Sequence, residues 1–198
     1  MSHYFESPSG AERRREVRAS IWGRDFILTT ANAVFSAARL DPGTTVLLRE
    51  VGPDPASRRL LDLGCGYGPI AVALASECPD AIVDAVDVNE RALALTRLNA
   101  ETAGVGDRVR ALLPDEVDAD TRYDEIWSNP PIRIGKPALH ELLATWLPRL
   151  AADGVARLVV SKNLGADSLQ RWLGEQGWDC RRVSTAKGFR VFDVRHRV

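Results

Sequence analysis

The sequence has no uninterrupted apolar run of about 18 residues, and its first residues lack the apolar segment of a signal peptide. These absences exclude a helical membrane protein and predict a soluble protein that stays in the cytoplasm. Cysteine is scarce, and Cys65, Cys78 and Cys180 do not have metal-ligand spacing. We therefore expect reduced thiols and no metal centre. No repeat or low-complexity segment is present, so the 198 residues predict one sizeable core.

Charge is nearly balanced overall, at a net −1, but it is uneven along the chain. Residues 1–60 carry 9 Lys/Arg against 7 Asp/Glu, residues 61–132 carry 5 against 14, and residues 133–198 carry 12 against 6. An acidic middle beside a basic end suits a cationic ligand next to a polyanionic substrate. The alternative is an ordinary mixed surface.

The segment from Leu60 to Leu74, LLDLGCGYGPIAVAL, has the pattern of a strand, a tight loop and a helix. Its glycines allow the backbone to pass close to a ligand, and Pro69 suits the first position of a helix. The dinucleotide fingerprint is G-x-G-x-x-G, whereas this loop has G-x-G-x-G after an aspartate. The loop therefore favours S-adenosylmethionine over NAD.

After the glycine loop, strand-like and helix-like segments alternate, which predicts a parallel sheet covered on both faces. The strand-like segments are Leu60–Leu63, Ala81–Val86, Val109–Leu113, Tyr123–Trp127 and Val155–Val160, and the helix-like segments are Pro69–Glu77, Glu90–Glu101, Pro137–Leu150 and Ser168–Glu175. Asn89 and Asp167 are the predicted helix N-caps, with Gln170 as capping-box partner of Asp167. Gly154 and Gly177 are predicted just past helix ends.

The last two strand-like segments, Asp179–Ser184 and Phe189–Val194, are too close in sequence for a helix between them and predict an antiparallel hairpin. The predicted fold class is therefore α/β: a Rossmann-like class I methyltransferase with a mostly parallel seven-stranded sheet, a C-terminal antiparallel hairpin and helices on both faces. We assign residues 58–198 to this S-adenosylmethionine-binding domain.

Residues 1–57 are predicted to form an N-terminal extension. A hairpin is expected around Trp22-Gly23-Arg24, preceded by a run of arginines. After an Asp-Pro-Gly turn at residues 41–43, Thr44 or Thr45 is expected to cap a short helix that ends at Gly52.

Ligands of such sheets bind beyond the carboxyl ends of the strands. Asp87, which ends the second strand, is predicted to accept the ribose hydroxyls, and Val88 to cover one face of the adenine. Asp115 could contact the adenine amine, although a general acidic loop explains it nearly as well. Asp84 is expected at the surface. The predicted cofactor-binding set is Asp62, Gly64, Cys65, Gly66, Gly68, Asp87, Val88, Asn89 and Asp115.

The fourth strand ends in Ser128-Asn129-Pro130-Pro131-Ile132. The two prolines remove two N–H donors and favour extended backbone, so the Asn129 amide and the Pro130 carbonyl can face the cleft as acceptors. Two acceptors that hold the hydrogens of a planar amine would direct its lone pair at a methyl donor. The predicted catalytic set is Asn129, Pro130, Pro131 and Ile132, and the alternative is a structural Pro-Pro turn.

The stretches LDLGCGYG, DVNERAL, SNPPIRIGK, HYF near the start and KGFRVF near the end resemble the small-domain methyltransferases related to bacterial ribosomal RNA guanine-N2 enzymes. This resemblance implies S-adenosylmethionine as cofactor, bound by Asp62, Gly64, Gly66, Gly68 and Asp87. It further implies that residues 129–132 hold a guanine amine, and that the partner is ribosomal RNA or a ribosomal subunit. A monomer or weak homodimer is expected.

Two features depart from this family pattern. Ile132 stands where many amine methyltransferases have an aromatic residue that stacks on the base, so stacking is expected from Phe189 or from Tyr4-Phe5. The chain is also too short for the second methyltransferase-like half of related enzymes. The predicted substrate-binding residues, with solubilising surface as the alternative for the basic ones, are Arg133, Lys136, Lys162, Phe189 and Arg190.

The predicted function is methyl transfer to an exocyclic amine of RNA, with guanine N2 of ribosomal RNA as the main hypothesis. Two alternatives stay open. One is methylation of a protein glutamine amide, and the other is an RNA-binding assembly factor that keeps the fold without catalysis.

Overall fold

The computed structural model describes residues 13–34, 39–130 and 135–197. The predictions for Tyr4-Phe5, Pro131, Ile132 and Arg133 lie outside the described residues. In the part described, nine strands and five α-helices are present: β1 Arg14–Ile21, β2 Arg24–Ala31, α1 Pro42–Glu50, β3 Arg59–Leu63, α2 Pro69–Glu77, β4 Ile82–Val86, α3 Glu90–Thr102, β5 Val109–Leu112, β6 Tyr123–Ser128, α4 Lys136–Trp146, β7 Leu150–Ser161, α5 Ala166–Glu175, β8 Trp178–Ala186 and β9 Phe189–His196.

Seven strands form one sheet in the order β5-β4-β3-β6-β7-β9-β8. The first five strands are parallel to one another, whereas β9 runs antiparallel to both β7 and β8. Apolar residues of α1, α2 and α3 pack on one face, and those of α4 and α5 pack on the other. The predicted fold class is confirmed.

The N-terminal elements share this core. In the β1–β2 hairpin, Phe26 and Leu28 are buried together with Val46 and Leu47 of α1 in the cluster that covers the first face of the sheet. The Asn99 side chain of α3 holds the hairpin, because it accepts the Thr29 N–H at 2.7 Å and donates to the Thr29 carbonyl at 2.8 Å. The division of the chain at residue 57 stays a prediction.

Several local predictions differ from the structure. Asp41, not Thr44 or Thr45, caps α1 by accepting the N–H groups of Gly43 and Thr44. Gly165 occupies the N-cap of α5 at φ 100°, so Asp167 lies in the first turn of that helix. Gln170 donates to the Cys180 carbonyl instead of closing a capping box.

Gly154 lies within β7 and not after a helix. The preceding helix α4 ends at Trp146, and the short helical turn Leu147–Arg149 fills the space before β7. The prediction for Gly177 agrees with the structure, since this residue follows α5 at φ 90°.

The expectation that Asp84 is at the surface is wrong. Its side chain is completely buried in β4 and accepts two hydrogen bonds from Arg110, at 2.6 and 2.8 Å, and one from the Tyr123 hydroxyl at 2.8 Å. A strand covered on both faces has no solvent side, so a charge within it requires partners from other strands of the sheet.

In the ranges described, no helix is both long enough and apolar enough to cross a membrane. Those same ranges hold no group of three His, Cys, Asp or Glu side chains placed to bind a metal ion.

Candidate active site

The glycine loop joins β3 to α2 with its three alternate glycines at positive φ: Gly64 at 76°, Gly66 at 58° and Gly68 at 84°. This backbone is one that side chains disfavour. A Cβ added at Gly66 would meet no atom within 4 Å, whereas one at Gly68 would lie 2.8 Å from Thr96 of α3. The loop therefore packs on α3 at one end and faces open space at Gly66.

Asp62, in β3, is fully buried behind this loop. Its Oδ2 accepts the Ala71 N–H at 2.9 Å and so fixes the first turn of α2. Its Oδ1 has no hydrogen-bond partner among the described residues. Burial raises the pKa of Asp62 to about 8. A buried acceptor without a donor at this position fits a ligand that carries N–H groups or positive charge.

Asp87 follows β4 and connects the glycine loop to α3. Its Oδ2 accepts the Gly66 N–H and its Oδ1 accepts the Asn89 N–H, each at 2.9 Å. Burial raises the pKa of Asp87 and outweighs the two hydrogen bonds, which lower it. Val88 beside it is 41% exposed, and Asn89 caps α3 as predicted. The end of β4 thus presents a carboxylate next to an exposed apolar side chain.

Asn129 follows the last residue of β6, Ser128, whose hydroxyl donates to the Leu63 carbonyl at 2.7 Å. This bond holds the end of β6 against the end of β3. The half-buried Asn129 donates from Nδ2 to the Asp41 Oδ1 at 2.6 Å and to the Thr44 Oγ1 at 3.1 Å. Pro130 after it is buried.

A single cleft contains the glycine loop and Asn129. The residues that line it are Asp41, Thr44, Gly64, Cys65, Gly66, Tyr67, Pro69, Ile70 and Asn129. Cys65 is not an activated nucleophile, because burial raises the pKa of its thiol well above the usual value. The groups at the cleft therefore suit alignment and hydrogen bonding, not covalent catalysis.

Residues 25–193 match the family model described as the methyltransferase small domain. The chain belongs to this family. Membership confirms the expectation of an S-adenosylmethionine-dependent methyltransferase.

Within the family, the chain is 32% identical over 196 residues to the uncharacterized protein YbxB of Bacillus subtilis, covering 98% of this chain and 97% of that protein. Ribosomal RNA small subunit methyltransferase C is 31% identical over 162 residues in Shewanella loihica and 42% identical over 108 residues in Hahella chejuensis. These two alignments cover 75% and 54% of this chain. The chain spans 46% and 31% of those two relatives, less than half of each.

Among solved structures, the chain is similar to the Thermus thermophilus 16S rRNA N2 G1207 methyltransferase RsmC, determined with AdoMet and guanosine. The TM-score is 0.81 at 24% identity, over 96% of this chain and 52% of that one. This likeness supports the fold of the family member described here.

The predicted substrate-binding residues that the structure describes lie near the carboxyl ends of the parallel strands. Lys136 opens α4 and Lys162 follows β7, and both are exposed. Phe189 opens β9 and is half-buried. The Arg190 guanidinium pairs with the Asp167 carboxylate, and its side chain is only 11% exposed. A phosphate contact by Arg190 stays a prediction.

Asp115 is exposed in a short helical turn after β5, outside the residues that line the cleft, and its contact with adenine stays a prediction. The sequence analysis missed Asp41, Thr44 and Tyr67 as cleft residues. The Asp-Pro-Gly-Thr stretch carried a turn and capping signal but no sign of its distant partner, because the position of α1 at the cleft depends on its packing on β7 and β9.

Proposed function

We propose that this protein transfers a methyl group from S-adenosylmethionine to the exocyclic amine of a guanine in ribosomal RNA. The observation that carries the proposal is the single cleft that contains both the glycine loop and Asn129. Relatives 31% and 42% identical are named ribosomal RNA small subunit methyltransferases, which supports RNA as the substrate class.

The residues of the cleft fit S-adenosylmethionine. Asp62 offers the unpartnered buried Oδ1, and the loop at Gly66 leaves open space beside its backbone. We propose that these groups hold the cationic methionine end. Each oxygen of Asp87 accepts one backbone N–H and retains a lone pair for a ribose hydroxyl, and the exposed Val88 can cover the adenine.

The remaining predicted cofactor residues act through the backbone and the loop around them. Gly64 and Cys65 both donate their N–H groups to the Val86 carbonyl, at 2.8 and 3.0 Å, which ties the loop to the end of β4. Asn89 keeps Asp87 in place through its own N–H. We retain Asp115 as a contact to the adenine amine.

S-adenosylmethionine supplies an activated methyl group on a sulfonium, so the protein needs neither a metal nor a covalent nucleophile. A guanine amine is a weak nucleophile because its lone pair is delocalised into the ring. In the proposed mechanism, the Asn129 Oδ1 and the Pro130 carbonyl accept its two hydrogens and stabilise the positive charge that grows on nitrogen. Alignment of the reactants can contribute about 7–11 kcal/mol in favourable cases. The excess proton passes to water.

The RNA is proposed to approach the carboxyl ends of the parallel strands, where Lys136, Lys162 and Phe189 lie. Arg133 is a further predicted contact. Both lysines are exposed at these strand ends and would attract the phosphates of a polyanion. Phe189 is predicted to stack on the base, and its ring lies 3.1 Å from the position of a Cβ added to Gly43, which lies between the cleft residues Asp41 and Thr44.

The test is a methyl-transfer assay with radiolabelled S-adenosylmethionine, offered small ribosomal subunits, deproteinised ribosomal RNA and a release factor in parallel. Label that digestion assigns to N2-methylguanosine supports the proposal. Label only in protein would establish the glutamine-amide alternative. Binding of RNA and cofactor without transfer to any acceptor would establish the assembly-factor alternative.

A further inference from the structure

The side-chain amide of Asn129 is held by residues that come from the other end of the chain. Its Nδ2 donates to the carboxylate of Asp41, 88 residues away in sequence, and to the hydroxyl of Thr44. An asparagine NH₂ group has two hydrogens, so both are used by these contacts. Among the described residues, no donor contacts the Asn129 Oδ1.

This arrangement fixes the orientation of the amide. If the group were rotated by 180°, its oxygen would face the Asp41 carboxylate, and two acceptors would oppose each other. The oxygen of Asn129 is therefore the group left to bind a substrate, and it can only accept a hydrogen bond. An amide that can only accept selects a substrate with N–H hydrogens and disfavours a carbonyl oxygen or an unprotonated ring nitrogen.

The Asp41 oxygen is itself held in place. Oδ1 also accepts the N–H of Gly43 at 2.7 Å and of Thr44 at 3.2 Å, as the N-cap of α1. Because α1 packs on β7 and β9, the cap belongs to a rigid part of the core. Three donors on one oxygen leave it little freedom to move away from Asn129.

We propose that Asp41 and Thr44 are positioning residues, which hold Asn129 with its oxygen toward the amine of the substrate. This inference rests on the proposed function, because it assigns the orientation of the acceptor that the methyl transfer uses. The carboxylate also polarises the amide and increases the negative charge on the Asn129 oxygen, which strengthens the bond to the amine. Neither residue contacts the transferred methyl group in this proposal.

Three substitutions separate this role from helix capping. Asn and Ser cap a helix as well as Asp does, so Asp41→Asn and Asp41→Ser should both leave α1 intact. Asn keeps the length to reach Asn129, whereas Ser is too short. Thr44→Val keeps the shape of the side chain and removes only the hydroxyl. Asp118→Ser is the matched control, because Asp118 also accepts a nearby backbone N–H, that of Asp120 at 2.8 Å, but on an exposed loop.

We expect Asp41→Ser to lower kcat about 100-fold, since a small misplacement at a reacting centre has an effect of that order. Thr44→Val should lower kcat about 10-fold. Asp41→Asn should retain most of the activity, and the Kd for S-adenosylmethionine and the Tm should stay near wild type in all three variants. Asp118→Ser should leave kcat unchanged.

A second measurement does not depend on catalysis. The chain has five asparagines, so the side-chain NH₂ signals in a ¹⁵N NMR spectrum are few, and an Asn129→Asp variant identifies the Asn129 pair. We expect this pair to be shifted downfield and slow to exchange with solvent in the wild type, and to lose both properties in Asp41→Ser.

The outcomes are distinguishable. An active wild type whose kcat is unaffected by Asp41→Ser would overturn the inference, as would an NMR signal of Asn129 that this variant leaves unchanged. A kcat loss as large in Asp41→Asn as in Asp41→Ser would also overturn it, because orientation would not be the cause. A wild type inactive on every acceptor, with the NMR change observed, would overturn the proposed function and leave the contact established.

Discussion

Three buried carboxylates are treated differently by their surroundings. Asp84 is paired with Arg110 and Glu125 with Arg157, so both negative charges have a cation beside them. Asp62 is as deeply buried, yet one of its oxygens lacks a partner among the described residues. A fold seldom leaves such a group unpaired unless a ligand completes it. This contrast supports the proposed role of Asp62 in binding the cofactor, while the other two stabilise the sheet.

The raised pKa of Asp62 gives a prediction about stability and pH. Burial moves this pKa from 3.8 to about 8 in the folded state, so between those values the folded protein binds more protons than the unfolded chain. The free energy of unfolding should therefore fall as pH rises through this window, by at most about 1.4 kcal/mol per pH unit from this group.

Asp62→Asn tests this prediction, because the neutral amide can still accept the Ala71 N–H. Urea unfolding without cofactor, from pH 5 to pH 8, should show the variant gaining stability over the wild type as pH increases. If the free energy of unfolding of the two proteins changed equally with pH, the prediction of a raised pKa for Asp62 in the folded state would be wrong.

Asn129 gives a prediction about catalysis. Asn129→Ala removes one acceptor for the amine but no group proposed to bind the cofactor, so kcat should fall at least about 100-fold. Calorimetry should give a Kd for S-adenosylmethionine within about twofold of wild type, and the Tm should change little. A folded variant that no longer binds the cofactor would contradict this role.

At the scale of elements, α1 is the helix that completes the cleft. Its second residue, Gly43, lies where a Cβ would be 3.0 Å from the Asp41 Oδ1 and 3.1 Å from both the Asn129 Oδ1 and the Phe189 ring. Its φ is not among the positive values, so the backbone itself accepts a side chain. The missing side chain at this position therefore leaves room for Phe189 and for two residues that line the cleft, Asp41 and Asn129.

Gly43→Ala should therefore affect activity more than stability. The added methyl group displaces Asn129 or Phe189 by a few tenths of an ångström, and we expect kcat to drop about 10-fold. The higher helix propensity of alanine, about 1 kcal/mol, should offset the crowding in the free energy of unfolding.

The matched control is Gly174→Ala in α5, where an added Cβ meets nothing within 4 Å. This variant should gain about 0.5–1 kcal/mol of stability and keep the wild-type kcat. Thermal denaturation and initial rates compare the two variants, and a Gly43→Ala enzyme with full kcat would show that the cleft tolerates the methyl group.

At the scale of the whole molecule, RNA is proposed to bind at the carboxyl ends of the parallel strands and not at their amino ends. The carboxyl ends of the parallel strands carry the glycine loop, Asn129, Lys136 and Lys162. β9 is antiparallel to β7 and begins at these carboxyl ends. Arg197, just past the end of β9, therefore lies at the amino ends of the parallel strands. If RNA binds at the carboxyl ends of these strands, only the charges at those ends should contribute to the salt dependence of RNA binding.

The double variant Lys136→Glu/Lys162→Glu should raise the KM for RNA and flatten the slope of log KM against log salt concentration, by about one for each phosphate that the variant no longer binds. Arg197→Glu should leave that slope unchanged. Methyl-transfer rates at several salt concentrations provide the measurement, and equal slopes for the two variants would place the RNA elsewhere.

The sequence by itself determined the strand, glycine loop and helix of residues 60–74, the helix bounds Pro69–Glu77, the Asn89 cap and the final hairpin. Each of these depends on residues close together in the chain: apolar periodicity, glycines that take positive φ, and a cap that bonds two or three residues onward. Short-range rules of this kind act in any tertiary context, so they can be applied from sequence.

Only the tertiary structure decided what those elements bring together. The contact between Asp41 and Asn129 spans 88 residues, Asp84 is buried because strands on both sides supply its partners, and Arg190 is paired with Asp167 of a neighbouring helix. Side-chain partners across the sheet depend on register, packing and the placement of α1, which no local pattern encodes. The glycine loop and Asn129 could be predicted, but Asp41, Thr44 and the orientation of the Asn129 amide could not, because these hydrogen-bond partners come from a distant helix.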